Sequence, residues 1–440
     1  MTRKIATALA VLLLSLSLAG CGLFEKDKKV KLPGERIPVL LLDRDLEPDP
    51  QIADLDVILP PPEANDSWPQ PGGYPNHAMQ HLLISEMPAR AWAVSIGEGS
   101  STQVRLTAQP VVAEGRIYTL NADGEVWAFD ASSGNRIWDA EVVPEDEDDG
   151  VIGGGVSYYE GRLFVATGAA EILALDSATG NEIWRRSVSA PLRTGPTVTA
   201  GRVFAVSVDN QIHVLASDDG RELWTYAGIS ESAALLGNGS PAVAGDIVVA
   251  PFSSGELVAL RIENGRPIWN DSLRAVRRVN AVSSLADIRG NPVIDRGKVF
   301  AISHAGRMLA IEQRTGVRIW DKNIGGIETP WSAGDFVFVL TTNEEVVCLS
   351  SRDGRIRWIQ PLPRYEDPDE KEEQIFWVGP LLASDRLIVG SSSGKLLTMS
   401  PYDGSIIGIL DVGEPIAVPP VVANGTLYVL TEDGDLIAYR

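Results

Sequence analysis

Residues 203–224 read VFAVSVDNQIHVLASDDGRELW and contain the pattern from which the fold is predicted. Two short apolar runs, 203–206 and 212–215, flank a polar turn, which is typical of a β-hairpin. A second turn ends at Gly220, where the absence of a Cβ allows a positive φ. Trp224 follows in a predicted outer strand. The unit therefore reads as successive antiparallel strands with no helix between them.

The same pattern occurs seven times along the chain. The repeat glycines are Gly134, Gly180, Gly220, Gly265, Gly316, Gly354 and Gly404. The fourth residue after each is Trp138, Trp184, Trp224, Trp269, Trp320, Trp358 and, in the last repeat, Gly408. These spacings are close to the ~40–50 residues of a four-stranded propeller blade.

The tryptophans are expected to dock one blade on the next rather than to stack on a ligand, because a broad indole ring buries much apolar area. Small residues of the adjacent blade would receive the ring. The sequence offers alanines at a constant place before the repeat glycine as candidates: Ala128, Ala174, Ala259 and Ala310.

The last repeat stops at Tyr439 without an outer strand, whereas an isolated strand containing Trp92 lies upstream of the first complete repeat. Pairing these two would close the ring and leave no exposed sheet edge at the junction. The sequence therefore predicts an all-β protein. It is an eight-bladed β-propeller of four-stranded antiparallel blades, closed by the N-terminal strand and spanning residues 68–440.

The N-terminus has the pattern of a bacterial lipoprotein. Basic residues precede an apolar stretch that is too short to span a bilayer, and small residues lead to Cys21. We interpret residues 1–20 as a signal peptide and Cys21 as the acylated residue, and Gly22 favours the periplasmic face of the outer membrane. Residues 21–67 read as a flexible tether rich in proline and charge. Its apolar patch at 38–42 is either solvated or docks on the propeller or on a binding partner.

The formal net charge of −21 makes nucleic acid an unfavourable partner. Acidic residues concentrate at 145–149 and 366–373. Both segments are predicted to be solvated loops. Ca²⁺ binding is the alternative, although the alternating ligand spacing of a calcium loop is missing.

The residues that could support catalysis are few. Cys348 is the only cysteine besides Cys21, so no internal disulfide is expected. His77 and His81 have i,i+4 spacing without a metal motif and are expected on the surface or in packing. Ser391 lies in a Gly-x-Ser-x-Gly sequence that occupies a hairpin slot rather than a strand-to-helix turn. The residues therefore predict no catalytic group, no metal site and no cofactor.

Residues 128–138 and 174–184 resemble the tryptophan-docking repeats of pyrroloquinoline-quinone propellers, and the resemblance extends over roughly 68–440. One family with these repeats is the quinoprotein dehydrogenases. Membership would imply a quinone held by stacked aromatics, a Ca²⁺ site and often a disulfide between adjacent cysteines. This chain has no adjacent cysteines, so a periplasmic quinone-dependent dehydrogenase is kept as the alternative function.

The second family is the BamB-type lipoproteins, non-catalytic accessories of the outer-membrane β-barrel assembly machinery, which the chain resembles in length, acidity and predicted anchor. The resemblance implies a scaffold that binds the periplasmic part of the barrel-insertion subunit. It also implies a role in the insertion of outer-membrane proteins, with unfolded barrel substrates as a further expected partner.

In that family the barrel-subunit contact maps to two interblade loops, which correspond here to 227–240 and 271–291. Leu235 and Asp287 match family positions, whereas Leu236 and Arg289 replace an arginine and an aspartate. The expected contact residues are Leu235, Leu236, Arg277, Arg278, Asp287 and Arg289. The alternative is that the two leucines pack under their own loop.

Overall fold

The computed structural model describes residues 46–440 except 54, 87, 144–152, 232–234, 236, 238 and 275–285. Within this part the chain forms β-strands joined by turns and loops. The first half contains β1 (Arg90–Ser95), β2 (Val111–Ala113), β3 (Arg116–Leu120), β4 (Glu125–Asp130), β5 (Arg136–Glu141), β6 (Gly154–Tyr159), β7 (Arg162–Thr167), β8 (Glu171–Asp176), β9 (Glu182–Ser187), β10 (Thr197–Thr199), β11 (Arg202–Val206), β12 (Gln211–Ala216), β13 (Glu222–Ala227), β14 (Ala242–Ala244), β15 (Ile247–Pro251), β16 (Glu256–Arg261) and β17 (Pro267–Ser272).

The second half contains β18 (Val293–Asp295), β19 (Lys298–Ser303), β20 (Arg307–Glu312), β21 (Arg318–Lys322), β22 (Trp331–Ala333), β23 (Phe336–Leu340), β24 (Glu345–Ser350), β25 (Ile356–Pro361), β26 (Tyr365–Asp367), β27 (Glu372–Gln374), β28 (Trp377–Ala383), β29 (Arg386–Ser391), β30 (Lys395–Met399), β31 (Ile406–Asp411), β32 (Val421–Ala423), β33 (Thr426–Leu430) and β34 (Asp435–Tyr439).

These strands form eight four-stranded antiparallel sheets, which confirms the predicted eight-bladed propeller. Blades 1 to 7 each use four consecutive strands and begin at β2, β6, β10, β14, β18, β22 and β28. Blade 8 has the order β1-β34-β33-β32, so the N-terminal strand supplies its outer edge as predicted. The acidic segment 366–373 forms part of the exposed hairpin β26–β27 between blades 6 and 7.

The burial of each strand follows its place in the blade. Third strands such as β12 are buried along most of their length, because other blades cover both faces of the sheet. Outer strands such as β13 are mostly exposed, and Trp224 is the buried residue of that strand. The propeller core therefore consists of the inner three strands, and seven of the eight outer strands add one tryptophan to it, the exception being β31, which carries Gly408.

Each docking tryptophan lies against the repeat glycine of the following blade. A Cβ built on Gly220, whose φ is +68°, would be 2.5 Å from Cε3 of Trp184, so only glycine leaves room for the ring. Trp184 Nε1 also donates to the carbonyl of Ser217 at 3.0 Å. The same glycine contact holds Trp92, Trp138, Trp224, Trp269, Trp320 and Trp358.

The predicted docking partner was wrong in one respect. The alanines proposed to receive the ring lie in the tryptophan's own blade, where Ala174 pairs directly with Trp184 in the antiparallel register. The small residue across the interface is the repeat glycine itself. The physical reason is that the missing Cβ of the glycine leaves the space that the neighbouring indole fills.

The closing strand β1 docks differently from the other outer strands. Trp92 packs on Gly134 and lies 5.9 Å from the ring of Tyr428, but its Nε1 has no hydrogen-bond partner among the described residues. The carbonyl of Ala131 instead accepts a hydrogen bond from Nη2 of the C-terminal Arg440 at 2.7 Å. Arg440 of blade 8 thus bonds the carbonyl of blade 1 that lies beside the docking site of Trp92.

Residues 65–82, here called the cap segment, contact all eight blades. The contacts join Asn65 to Asn424, Trp68 to Val112, Pro69 to Tyr158, Gln70 to Val198, Pro75 to Val243, Asn76 to Ile294, Gln80 to Trp331 and Leu82 to Leu382. Most of these partners lie on the first strand of their blade, next to the propeller axis. The cap segment therefore follows the inner strands round the propeller axis and contacts the blades in order. The end of the propeller at which first strands turn into second strands is here called the cap face.

Both N-terminal histidines belong to this region and are buried in packing. His77 Nδ1 is 2.8 Å from the carbonyl of Pro292, and His81 Nδ1 is 2.7 Å from the carbonyl of Pro60. His81 Nε2 accepts the backbone N–H of Asp385 at 2.8 Å. Three of the four ring nitrogens therefore make structural hydrogen bonds, whereas His77 Nε2 has no hydrogen-bond partner among the described residues.

The described part of the tether also touches the propeller. Asp49 N donates to the carbonyl of Ile356 at 2.8 Å, and Arg357 Nε donates to the carbonyl of Leu55 at 2.5 Å. These contacts lie on the outer strand of blade 6. The boundary between tether and propeller at residue 67 stays a prediction. Across the described ranges, no helix has the length and apolarity needed to cross a bilayer.

Candidate functional site

Two connections between successive blades lie against each other. Residues 228–241 join blade 3 to blade 4, and residues 273–292 join blade 4 to blade 5. We call them the loop pair. Because each runs from an outer strand to the next first strand, both lie at the end of the propeller away from the cap face, here called the loop face.

Two hydrogen bonds and one close approach join the two loops of the loop pair. Leu235 N donates to Oδ2 of Asp287 at 2.7 Å. Gly237, with a φ of +91°, leaves so little space that a Cβ there would be 3.0 Å from Nε of Arg289. Ser240 N donates to Oδ1 of Asn291 at 2.7 Å. The two loops therefore run alongside each other and form one surface.

Asp287 is the centre of this arrangement. Asp287 is 1% exposed, and its burial raises the pKa of the carboxyl. The Leu235 N–H and the positive charge of Arg289 oppose the rise. Arg193, from the connection between blades 2 and 3, donates from Nη1 to the carbonyl of Leu235 at 2.9 Å. The N–H and the carbonyl of Leu235 are thus both hydrogen-bonded to side chains of this protein.

A cleft of about 460 Å³ opens beside the loop pair on the same face. Arg289 reaches into its wall, where its Nη1 lies 4.0 Å from Oε1 of the buried Glu328. Burial raises the pKa of Glu328, and the charge of Arg289 opposes the rise. Phe376, which is 64% exposed, and Trp377 also line the cleft. The surface thus combines fixed charges with the exposed apolar ring of Phe376, while Trp377 is buried beneath it at 9% exposure, a composition that suits protein contact.

The structure brings together three of the predicted contact residues, Leu235, Asp287 and Arg289. Leu236, Arg277, Arg278 and the lipidation residue Cys21 lie outside the described residues. Sequence reasoning missed Arg193, Asn291 and Glu328, which complete the arrangement. Asn291 follows Arg289 by two residues and was within reach of a sequence argument, whereas Arg193 and Glu328 come from other interblade connections.

The alternative function would need a calcium site beside its quinone, which can be compared with the metal-ligating side chains of the described residues. No three His, Cys, Asp or Glu side chains within the described ranges lie close enough together to hold a metal ion. Ser391 lies in the turn between β29 and β30, and its Oγ is 2.9 Å from Oγ of Ser393. Its hydroxyl therefore bonds within a hairpin turn and not to a general base.

The family model described as outer membrane protein assembly factor BamB matches this chain over residues 89–151 and 122–360. The assembly factor BamB of Burkholderia pseudomallei is 26% identical over 361 residues, which cover 80% of this chain and 87% of that protein. BamB of Escherichia coli K12 is 25% identical over 352 residues, covering 79% of this chain and 87% of that protein.

Solved structures show the same fold. BamB from Moraxella catarrhalis superimposes with a TM-score of 0.69 at 17% identity, covering 80% of this chain and 100% of that one. A quinohemoprotein alcohol dehydrogenase from Comamonas testosteroni gives a TM-score of 0.64 at 13% identity, covering 85% of this chain and 80% of that one. Because propellers with different activities are both similar, the fold alone does not select between them.

Proposed function

The chain belongs to the family of outer membrane protein assembly factor BamB, and from that premise we propose that it is a non-catalytic scaffold in outer-membrane protein assembly. It binds the periplasmic part of a barrel-insertion subunit through the loop pair. The hydrogen bond from Leu235 N to Asp287 is the observation that carries the proposal, because it joins the two loops in which this contact is expected.

Leu235 contributes its side chain to the partner. Its N–H and carbonyl are already bonded to Asp287 and Arg193, so the main chain has little left to offer another protein. A leucine held in this way loses less conformational freedom on binding than one in a free loop, which favours affinity.

Asp287 acts as a positioning residue. Its burial keeps the carboxylate away from solvent, so the effect of the side chain on a partner passes through the loop that it holds. Removing the carboxylate would leave the Leu235 N–H without its acceptor and separate the two loops at their central contact. Arg289, which is partly exposed and lines both the loop pair and the cleft, supplies charge at the surface itself.

We further propose that Cys21 anchors the protein in the outer membrane at its periplasmic face, and that unfolded outer-membrane proteins pass close to the loop face. The acidic surface reduces non-specific adhesion of the scaffold to anionic chains. No step of this function makes or breaks a covalent bond.

Copurification with the barrel-insertion subunit from detergent-solubilised outer membranes tests the proposal. We expect the double variant Leu235→Asp, Leu236→Asp to lose the subunit, because two charges would be desolvated in the contact. We expect Asp287→Ala to weaken the interaction as well. Leu83→Asp is the matched control, since Leu83 is 43% exposed and lies in the region of the cap face.

The control should copurify like the natural protein, and all variants should keep its circular dichroism spectrum. If the folded double variant retains the subunit while Leu83→Asp loses it, the partner binds at the cap face and the assignment of the loop pair is wrong. If both variants retain it, the contact lies at neither place.

A further inference from the structure

A second cleft, none of whose lining residues belongs to the loop pair, opens on the cap face. It has a volume of about 720 Å³ and lies where the cap segment crosses blades 1, 2 and 3. Pro69 and Pro75 of the cap segment form part of its wall, and Tyr158 and Tyr159 at the end of β6 form another part. We call it the tyrosine cleft. Its size is within the range of sites that hold a small ligand or a short peptide.

The two tyrosines depart from the propeller repeat. Tyr159 pairs with Arg162 across the turn between the first two strands of its blade, as Ala113 pairs with Arg116 in blade 1. At this register position the other seven first strands carry only Ala, Thr or Asp: Ala113, Thr199, Ala244, Asp295, Ala333, Ala383 and Ala423. A large aromatic ring at this position is therefore not needed to build a blade.

Tyr158 lies one position before Tyr159. The residues at that position in the other seven first strands are aliphatic or serine, so Tyr158 is likewise an aromatic exception. It stacks on Tyr118 of blade 1, with ring centroids 6.3 Å apart and an angle of 10° between the planes. This stacking fixes its orientation, while the ring stays partly exposed in the cleft. Fixed aromatic faces beside proline rings form the kind of ridged wall that receives extended proline-containing chains.

The rim of the tyrosine cleft is acidic. Asp66, Glu114 and Glu160 are all exposed and line it, and no Lys, Arg or His is found among its lining residues. Within the described ranges none of the three carboxylates has a basic side chain in ion-pair distance. Glu114 also accepts a hydrogen bond from Tyr158, whose pKa is raised to about 12, chiefly by burial. Tyr158 thus stays neutral, and the cleft carries the charge of its carboxylates.

We propose that the tyrosine cleft binds an extended, proline-containing segment with basic residues on a partner protein. The proline rings pack against Tyr158, Tyr159 and the prolines of the cap segment, and a polyproline II chain has little conformational entropy left to lose. The lysine or arginine side chains meet Asp66, Glu114 and Glu160, and a guanidinium can also stack on a tyrosine face. This site is separate from the loop pair, so its failure would leave the proposed function intact.

Fluorescence anisotropy with a labelled proline-rich peptide that carries an arginine at each end tests the proposal, using the full chain. Binding should weaken about tenfold in the triple variant Asp66→Asn, Glu114→Gln, Glu160→Gln, because the arginines lose their ion-pair partners at the rim. The matched control is Glu366→Gln, Glu370→Gln, Glu372→Gln. It changes the net charge equally on the exposed hairpin β26–β27 and should bind within about twofold of the natural protein.

Two altered peptides separate the contributions. Replacing the arginines with glutamates should abolish binding, and replacing the prolines with glycines should weaken it. The proposal is overturned if the natural protein does not bind the peptide, if both triple variants weaken equally, or if the glutamate peptide binds as well. Binding to vesicles that contain ethanolamine headgroups is measured as the last comparison. If the vesicles bind at these carboxylates and the peptide does not, the ligand is a membrane amine and not a peptide.

Discussion

Replacing Trp92 with alanine tests whether β1 closes the ring energetically as well as geometrically. The indole packs on Gly134 and beside Tyr428. An aromatic side chain buries about 150–250 Å², and the lower end of that range is worth about 4 kcal/mol at about 25 cal/mol per Å². Since Nε1 makes no hydrogen bond to a described residue, little is added to this value. We expect Trp92→Ala to lower the free energy of unfolding by about 3–5 kcal/mol.

Urea unfolding followed by far-ultraviolet circular dichroism measures this change, with Trp184 as the matched site. Trp184→Ala removes the same ring contact and also the hydrogen bond to Ser217, so it should cost about 1 kcal/mol more. The variants Trp184→Phe and Trp92→Phe isolate the contribution of that bond, because Trp184 makes it and Trp92 has no equivalent bond to lose. A Trp92→Ala midpoint equal to that of the natural protein would refute the closure by β1, and equal costs for the two phenylalanine variants would refute the difference in hydrogen bonding.

Three further changes test the buried ionisable groups and the anchor. Burial lowers the pKa of His77 from 6.5 to about 4, so protonation of the ring destabilises the fold. The free energy of unfolding is therefore highest above pH 6.5 and decreases by about 3 kcal/mol as the pH falls from 6.5 to about 4. His77→Gln should remove this part of the pH dependence of urea unfolding, and an unchanged slope would contradict it. Burial raises the pKa of Asp287 above 3.8, so ionisation of the carboxyl destabilises the fold as the pH rises. The stability of Asp287→Asn relative to the natural protein should therefore increase between pH 4 and pH 7, whereas a constant difference would show that the carboxyl is not perturbed. Cys21→Ser should place a folded protein in the soluble periplasmic fraction, and its recovery in membranes stripped of binding partners would argue against the lipid anchor.

The blades were predictable because their information is local and repeated. Gly220 and Trp224 lie four residues apart, and the turn and the outer strand that they predict are made by neighbouring residues. The docking partner of the ring was harder to predict, because the distance from Trp184 to Gly220 depends on how one blade meets the next. Local spacing favoured alanine, whereas the position of the turn in space selects glycine.

The candidate site was predictable only in part for the same reason. Leu235 and Asp287 could be chosen by their match to family positions, but their hydrogen bond joins residues 52 positions apart. No spacing rule predicts such a bond, and none predicts that Arg193 holds the other side of Leu235. The tyrosine cleft also escaped the sequence analysis, since Tyr158 and Tyr159 stand out only once the strand register shows what the other blades carry there.

The cap segment imposes an order on the formation of the protein. Asn65 donates from its side chain to the carbonyl of Val422, a residue 357 positions later, and the other partners of the segment are distributed over the blades between them. A chain that emerges from its N-terminus first therefore presents this segment before any of its binding positions exist. Contacts of such long sequence separation form slowly. The cap segment is synthesised before the blades and is thus the last part to bind in its place. A chain that stops before blade 8 lacks the residue that bonds Asn65.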